Sequence, residues 1–206
     1  MAGSPPRSRP RRTSAQTREH VLAVAAESFY RDGIRATGID TVAARAGVAP
    51  PTLYRLFATK DDLVAAYVAR CSADYRDRVN AVTSPDAGSA RHRLVALFVL
   101  FTADATSEHC RGCPFQLVLA EFPDPGHPAH REAVAHKAWV RDVIRALVDE
   151  LSADHDIADP AGLTAQLTVS AEGIYGAAQT LGGAGPAQHG RACAEALIGF
   201  ATSGSR

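Results

Sequence analysis

The sequence predicts an all-α protein of about nine helices, and three observations carry that expectation. No stretch sustains the period-2 alternation of a half-buried strand. Prolines stand where helices would begin (Pro50, Pro114, Pro128, Pro160, Pro186), because a missing N–H costs nothing in a first turn. Between these marks, apolar residues recur at the three- and four-residue steps of a buried helical face. With 206 residues, 46% of them hydrophobic and 21% charged, the chain can bury a sizeable core. The longest strongly apolar run, Leu94 to Phe101, falls well short of the roughly 20 residues that cross a bilayer, so no membrane-spanning helix and no membrane partner are expected.

The elements follow in order. Residues 1–12 are mostly Pro, Ser and Arg with nothing to bury, which predicts a flexible basic arm; no apolar stretch backs its arginines, so it is not read as a secretory signal. Thr13 and Gln16 form a capping-box pattern ahead of Leu22, Ala25 and Phe29, and Gly33 ends that helix. Two short helices are expected at 39–46 and 50–57, with Val42, Ala43 and Ala46 inward on the first. Thr59 and Asp62 cap a long helix reaching about Asn80, and Ser84-Pro85-Asp86 breaks the chain. Five more helices are expected at 87–106, 114–121, 128–153, 160–182 and 187–202. The helix at 160–182 carries a stripe of Leu163, Leu167, Ser170, Ile174, Ala178 and Leu181. The expected division is the arm at 1–12, a helix-turn-helix domain at 13–60 and a larger helical domain at 61–206.

Charge divides the chain in the same way. Lys and Arg number 22 against 22 Asp and Glu, yet residues 1–60 hold ten bases and four acids, a net +6, and the remainder carries −6. A basic module that meets a polyanion, joined to an acidic module with another task, fits this split; a basic tail on a neutral protein is the plainer reading. Four cysteines, at 71, 110, 113 and 193, are too few and too unevenly spaced for a disulfide framework, which favours a cytoplasmic location.

The informative segment is TGIDTVAARAGVAPPTLYRLFATK, residues 37–60. Two short helices around a Gly-containing turn form a helix-turn-helix pattern. Val48, Leu53 and Phe57 would seat the second helix across the first, leaving its N-terminal residues with Thr52, Tyr54 and Arg55 outward, as entry into a DNA major groove requires. An ordinary corner between two helices is the alternative, and it has no need of the surrounding +6 charge.

RATGIDTVAARAGVAPPTLYRLFATKDDLV resembles the DNA-binding domain of TetR-type transcriptional regulators over about residues 15–65. The resemblance implies three DNA-binding helices, a ligand-binding and dimerisation domain behind them, and a homodimer on a palindromic operator of double-stranded DNA. Carried over by position, Thr52 and Arg55 would face the groove, Tyr54 would bond a phosphate, and Lys60 would contact a phosphate beside a helix N-terminus. Thr37, Pro50 and Pro51 complete the expected DNA-facing set. Ala49, Pro51, Gly38 and Leu56 depart from the residues common at those places, so affinity would lean on Arg11, Arg12 and Arg45.

A second segment, HCRGCPFQLVLAEFPDPGHPAHREAVAHKAW at 109–139, resembles a subgroup of these regulators with a GCPF…EFPDP.HP…HK pattern. A pocket for a small-molecule effector needs apolar walls and a few polar groups. Phe98, Phe101, Phe115, Leu119, Phe122, Trp139, Val143 and Tyr175 are the candidate walls. Cys113, Gln116, Glu121, His127, His136 and Gln179 are the candidate polar contacts, and ordinary core packing is the alternative for each.

Cys110, Cys113, His127 and His130 fall close to a zinc-finger spacing, so metal binding, thiol sensing and a structural role all stand open. A helical segment lies between the pairs, and the histidines flank a helix start at Pro128. The expectation is therefore no metal and no cofactor. For the dimer, the last two helices are rich in small residues, with Ile174, Ala177, Ala178, Leu181, Leu197 and Phe200 as the candidate contact; packing within the chain is the alternative.

These features predict a ligand-released repressor rather than an enzyme. No Gly-rich phosphate loop, nucleophile elbow or HExxH is present. The rivals are an enzyme using Cys113 with His109 or His127, and a DNA-architectural protein without an effector.

Overall fold

Prolines open the helices. Pro50, Pro114, Pro128 and Pro160 are each the first residue of an α-helix, and Pro186 opens a short 3-10 turn. The computed structural model describes residues 12–203; Arg11 and the rest of the expected arm before Arg12 lie outside the described residues. Among the described residues there are nine α-helices and no strand, as the periodicity predicted. They are α1 (Ser14–Asp32), α2 (Ile39–Ala46), α3 (Pro50–Leu56), α4 (Lys60–Thr83), α5 (Ala90–Ala105), α6 (Pro114–Glu121), α7 (Pro128–Asp154), α8 (Pro160–Leu181) and α9 (Gly190–Ser203).

Three boundaries differ from expectation by more than a single residue. The long helix runs on to Thr83, because nothing before Ser84-Pro85 interrupts it. The fifth begins at Ala90, where Ser89 accepts the His92 N–H, after a 3-10 turn at Pro85–Ala87. The last begins at Gly190, behind the 3-10 turn Pro186–His189.

The chain falls into two units, one ending at Tyr67 and the other starting at Val68. In the first, the Thr13 capping box forms both of its bonds, Gln16 N–H to Thr13 Oγ1 at 3.2 Å and Thr13 N–H to Gln16 Oε1 at 2.9 Å. Val21, Leu22, Ala25 and Phe29 of α1 are buried, as are Val42, Ala43, Leu53 and Phe57, with α1 packed on α2 and α2 on α3, and Phe29 meets Tyr67 edge to face at 5.6 Å. Gly47 turns the chain between α2 and α3 at φ 64°, a left-handed value that glycine adopts without steric cost.

In the second unit α5 is central and packs on α7, α8 and α9, while α6 lies on α7. Leu94, Leu97, Phe98, Phe115, Ile144, Leu151, Leu167 and Ile198 are all but fully buried. Each such side chain contributes about 1.5–3 kcal/mol. Arg93 is a charge inside this core, and it is paired: it bonds Glu150 of α7 and donates to the Thr83 carbonyl that ends α4. None of the described helices is long and apolar enough to cross a membrane.

Candidate functional site

Helix α3 is seven residues long and held by its interior side. Leu53 has no exposure, Phe57 just beyond the helix is buried, and the Thr52 N–H closes the first turn on the Ala49 carbonyl at 2.8 Å. Pro50, Pro51, Tyr54 and Arg55 point outward, with Tyr54 49% exposed, and Thr52 is half-buried at the edge of the same face. This is the presentation that the spacing predicted.

Elsewhere in the same unit, Arg12 is exposed and Lys60 donates to the Arg35 carbonyl at 3.3 Å. The Arg45 guanidinium is held by Asp32 and by Ser28 Oγ at 2.9 Å. Thr37 does not reach the surface where it was expected. It is 3% exposed, its hydroxyl donates to the Gly33 carbonyl at 2.7 Å and its N–H to the same oxygen at 3.2 Å, so it closes the α1–α2 loop.

The second unit assembles a polar and aromatic cluster. His136 of α7 stacks on Phe115 of α6, with ring centroids 3.6 Å apart, and its Nδ1 lies 3.1 Å from Ser72 Oγ of α4. The Trp139 ring carries the Arg76 guanidinium at 4.4 Å. Tyr75 donates to Asp104 at 2.7 Å and bonds the Tyr175 hydroxyl, while Arg78 pairs with the same carboxylate. Lys137 and Gln116 both meet the Glu172 carboxylate at 2.8 Å.

Burial sets the electrostatics here. Desolvation, aided by the Lys137 and Arg76 charges, pushes the His136 imidazole down to about 3, so it is neutral at neutral pH. Burial pushes the Tyr75 and Tyr175 hydroxyls well above their ordinary value, keeping both as neutral hydrogen-bonding groups. The bond to Asp104 raises Arg78 and fixes its charge. The arrangement offers aromatic faces, hydroxyls and the guanidiniums of Arg76 and Arg78, which is chemistry for recognition.

Of the residues expected to line a pocket, Phe98, Phe101, Phe115, His136 and Tyr175 are buried and linked in two ring contacts groups, Phe98–Phe101–Tyr175 and Phe115–His136–Trp139. Cys113 is buried beside them, while Leu119 and Val143 are half-buried. Phe122 and His127 form a separate stack at 4.3 Å, next to the half-buried Glu121. Gln179 is exposed and lies by Gly112.

Sequence reasoning missed Ser72, Tyr75, Arg76, Arg78 and Asp104. The i, i+3, i+4 spacing of Ser72, Tyr75 and Arg76 was the available signal. His127 caps α7 through Ala129 N–H and His130 Nδ1 bonds the Phe122 carbonyl, so each is engaged locally.

On the last two helices Leu181 and Phe200 are 66% and 87% exposed, and Ala177 and Leu197 are half-buried. Ile174 and Ala178, expected beside them, are buried within the chain; Ile174 fills the space against Gly190 of α9.

A helix-turn-helix with an outward reading helix, followed by a separate helical unit, defines a DNA-binding regulator class. Residues 21–67 match the family described as bacterial regulatory proteins, tetR family. The chain is 26% identical over 156 residues to the HTH-type transcriptional regulator YjdC of Escherichia coli, covering 76% of this chain and 80% of that one. It is 29% identical over 140 residues to the HTH-type transcriptional repressor KstR2 of Mycobacterium tuberculosis, covering 65% and 67%. The crystal structure of a TetR-family transcriptional regulator from Streptomyces coelicolor superposes with a TM-score of 0.83 at 29% identity, covering 91% of this chain and 97% of that one. Residues 21–67 are thus similar to the DNA-binding domain of that family, and these similarities support a transcriptional regulator of TetR type.

Proposed function

We propose that this chain is a repressor that binds a palindromic operator as a homodimer and leaves it when a small molecule occupies the second unit. The observation that carries the DNA reading is α3, seated by Leu53 with Pro51, Tyr54 and Arg55 outward within residues 1–60, which hold the +6 charge. Arg55 reads a base edge, Tyr54 and Lys60 hold phosphates, and Arg12 adds positive charge to the same unit.

The dimer forms through the exposed sides of α8 and α9. Val169, Leu181 and Phe200 are exposed there, and a Cβ on Gly173, Gly176 or Gly199 would meet no atom of its own chain. An interior helical glycine costs about 1 kcal/mol relative to alanine. Within one chain nothing offsets that cost at these positions, whereas a second copy packed closely against them would.

The effector binds among Phe115, His136, Trp139 and Tyr175, and its recognition runs through Ser72, Tyr75 and Arg76 of α4. The first residue of that helix is Lys60, so a shift of α4 on ligand binding alters the phosphate contact and the separation of two reading helices, which must be about 34–36 Å for successive major grooves. A coupling of about 1–3 kcal/mol suffices for such a switch.

Gel-shift titration on DNA upstream of its own coding region tests the reading. Retardation of that duplex at concentrations that leave random duplex free is expected, and equal affinity for both would sink it.

A further inference from the structure

Neither DNA binding nor the effector site gives Cys110 a role, yet it stands three residues before Cys113 in a loop that is already bent. Four cysteines are free in this structure. Cys110 and Cys113 are spaced as the ends of a four-residue turn would be, with a bend at Gly112 between them, and closing such a turn brings its end Cα atoms within about 7 Å. A disulfide spans about 4.4–6.8 Å between Cα atoms, so a turn closed at Gly112 would bring the pair to that range. Gly112, between them, sits at φ 109°, a value that strains any residue with a Cβ. Its N–H donates to Cys110 Sγ at 3.3 Å, folding that sulfur back over the backbone next to Cys113.

Exposure divides the roles of the two thiols. Cys110 is half-buried, whereas Cys113 is 3% exposed as the N-cap of α6. A small oxidant arriving from solvent meets Cys110 first, and Cys113 is the thiol at hand behind it.

We infer that Cys110 and Cys113 form a reversible thiol–disulfide pair oxidised by hydroperoxides. The Cys110 sulfur attacks one peroxide oxygen, the O–O bond breaks, and Cys110 becomes a sulfenic acid as the other oxygen leaves as water or an alcohol. The Cys113 sulfur then attacks the Cys110 sulfur; the S–S bond forms, the S–O bond breaks, and hydroxide departs with the Cys113 thiol proton as water. Two thiols lose two electrons and one peroxide gains them. A dithiol reductant restores the pair by exchange.

Closing the turn acts on its surroundings. Cys113 is the N-cap of α6, so drawing it toward Cys110 moves the start of that helix. Phe115, two residues into that helix's path, is stacked on His136, which in turn lies 5.6 Å from the Trp139 ring. Trp139 is the sole tryptophan and therefore reports the change. This chemistry is independent of the operator reading and survives its failure.

The test uses the full-length protein, reduced, freed of reductant, exposed to a small excess of hydrogen peroxide, blocked with N-ethylmaleimide and digested with trypsin. Arg111 lies between the two cysteines, so trypsin separates them and the fragments stay joined only by the disulfide. Joined fragments that dithiothreitol separates are expected, with loss of two of the four blockable thiols and a parallel shift in Trp139 emission. A Cys71→Ser/Cys193→Ser variant should behave alike, and Cys110→Ser, which changes a half-buried sulfur conservatively, should give neither link nor shift. Oxidation of Cys110 to sulfinic acid while Cys113 still takes up maleimide, or links made at Cys71 or Cys193 instead, would overturn the inference.

Discussion

Ser72 on α4 and His136 on α7, 64 residues apart in the chain, meet in a buried hydrogen bond of 3.1 Å. The contact places a neutral imidazole between an aromatic face and a hydroxyl, beneath the helix that begins at the DNA-binding unit.

That imidazole makes the fold sensitive to acid. In the unfolded chain His136 takes up a proton below its ordinary value of 6.5, whereas in the folded chain burial keeps it neutral down to about 3. The unfolded state therefore binds more protons across this interval, and stability is lost as pH falls from 6.5 toward 3. Each unit in that window corresponds to at most about 1.4 kcal/mol. Urea unfolding of the wild type and of His136→Gln should show the wild type losing ground to the variant between pH 6.5 and 5.5; parallel curves would exclude His136 as the cause.

The Asp104 carboxylate collects Tyr75, Tyr175 and Arg78. Asp104→Ala leaves the Tyr75–Tyr175 hydroxyl pair with one donor hydrogen unmatched and takes the carboxylate from Arg78, and should destabilise by about 1–3 kcal/mol. Tyr75→Phe removes one donor and leaves Arg78 on the carboxylate, so its cost should be the smaller. Thermal melting of the two variants checks the order.

On DNA, Lys60→Ala should weaken binding to all sequences and reduce the salt slope by about 1. Tyr54→Ala should weaken it broadly with the slope nearly unchanged, because no charge is lost. Arg55→Ala should cost about 1–3 kcal/mol and relax the preference at one base pair. Binding isotherms at several salt concentrations on operator variants separate these outcomes, and a uniform loss for Arg55→Ala would remove it from base reading.

Assembly should fail when charge is placed on the exposed apolar residues of the last two helices. Phe200→Glu, at a side chain 87% exposed, should yield a monomer with an unchanged melting profile of its own fold. Sedimentation velocity reads this directly; a variant that remains dimeric moves the interface elsewhere.

Much of this molecule was legible in its sequence because the signals were local. Thr13 and Gln16 cap their own helix three residues apart, and Pro114, Pro128 and Pro160 mark starts by a property of one ring. The reading helix followed from Leu53 and Phe57, whose spacing already separates an inner from an outer side. The polar cluster was not legible, because Tyr75 finds Asp104 29 residues away and Tyr175 100 residues away, and no periodicity encodes such meetings. The stripe on α8 was read as one face. Packing divides it, turning Ile174 and Ala178 inward and leaving Leu181 outside, since two buried sides of a helix have the same apolar composition until a neighbour is placed.

The seating of α3 on Leu53 separates what holds the helix from what it presents. Seven residues are too few to keep a helical shape in water alone, so the seat supplies the shape. Outward positions 51, 54 and 55 contribute almost nothing to that seat. On the proposed reading of DNA, a lineage could exchange them and acquire a new set of target genes while its folding stayed as it was, so binding preference would drift faster than architecture.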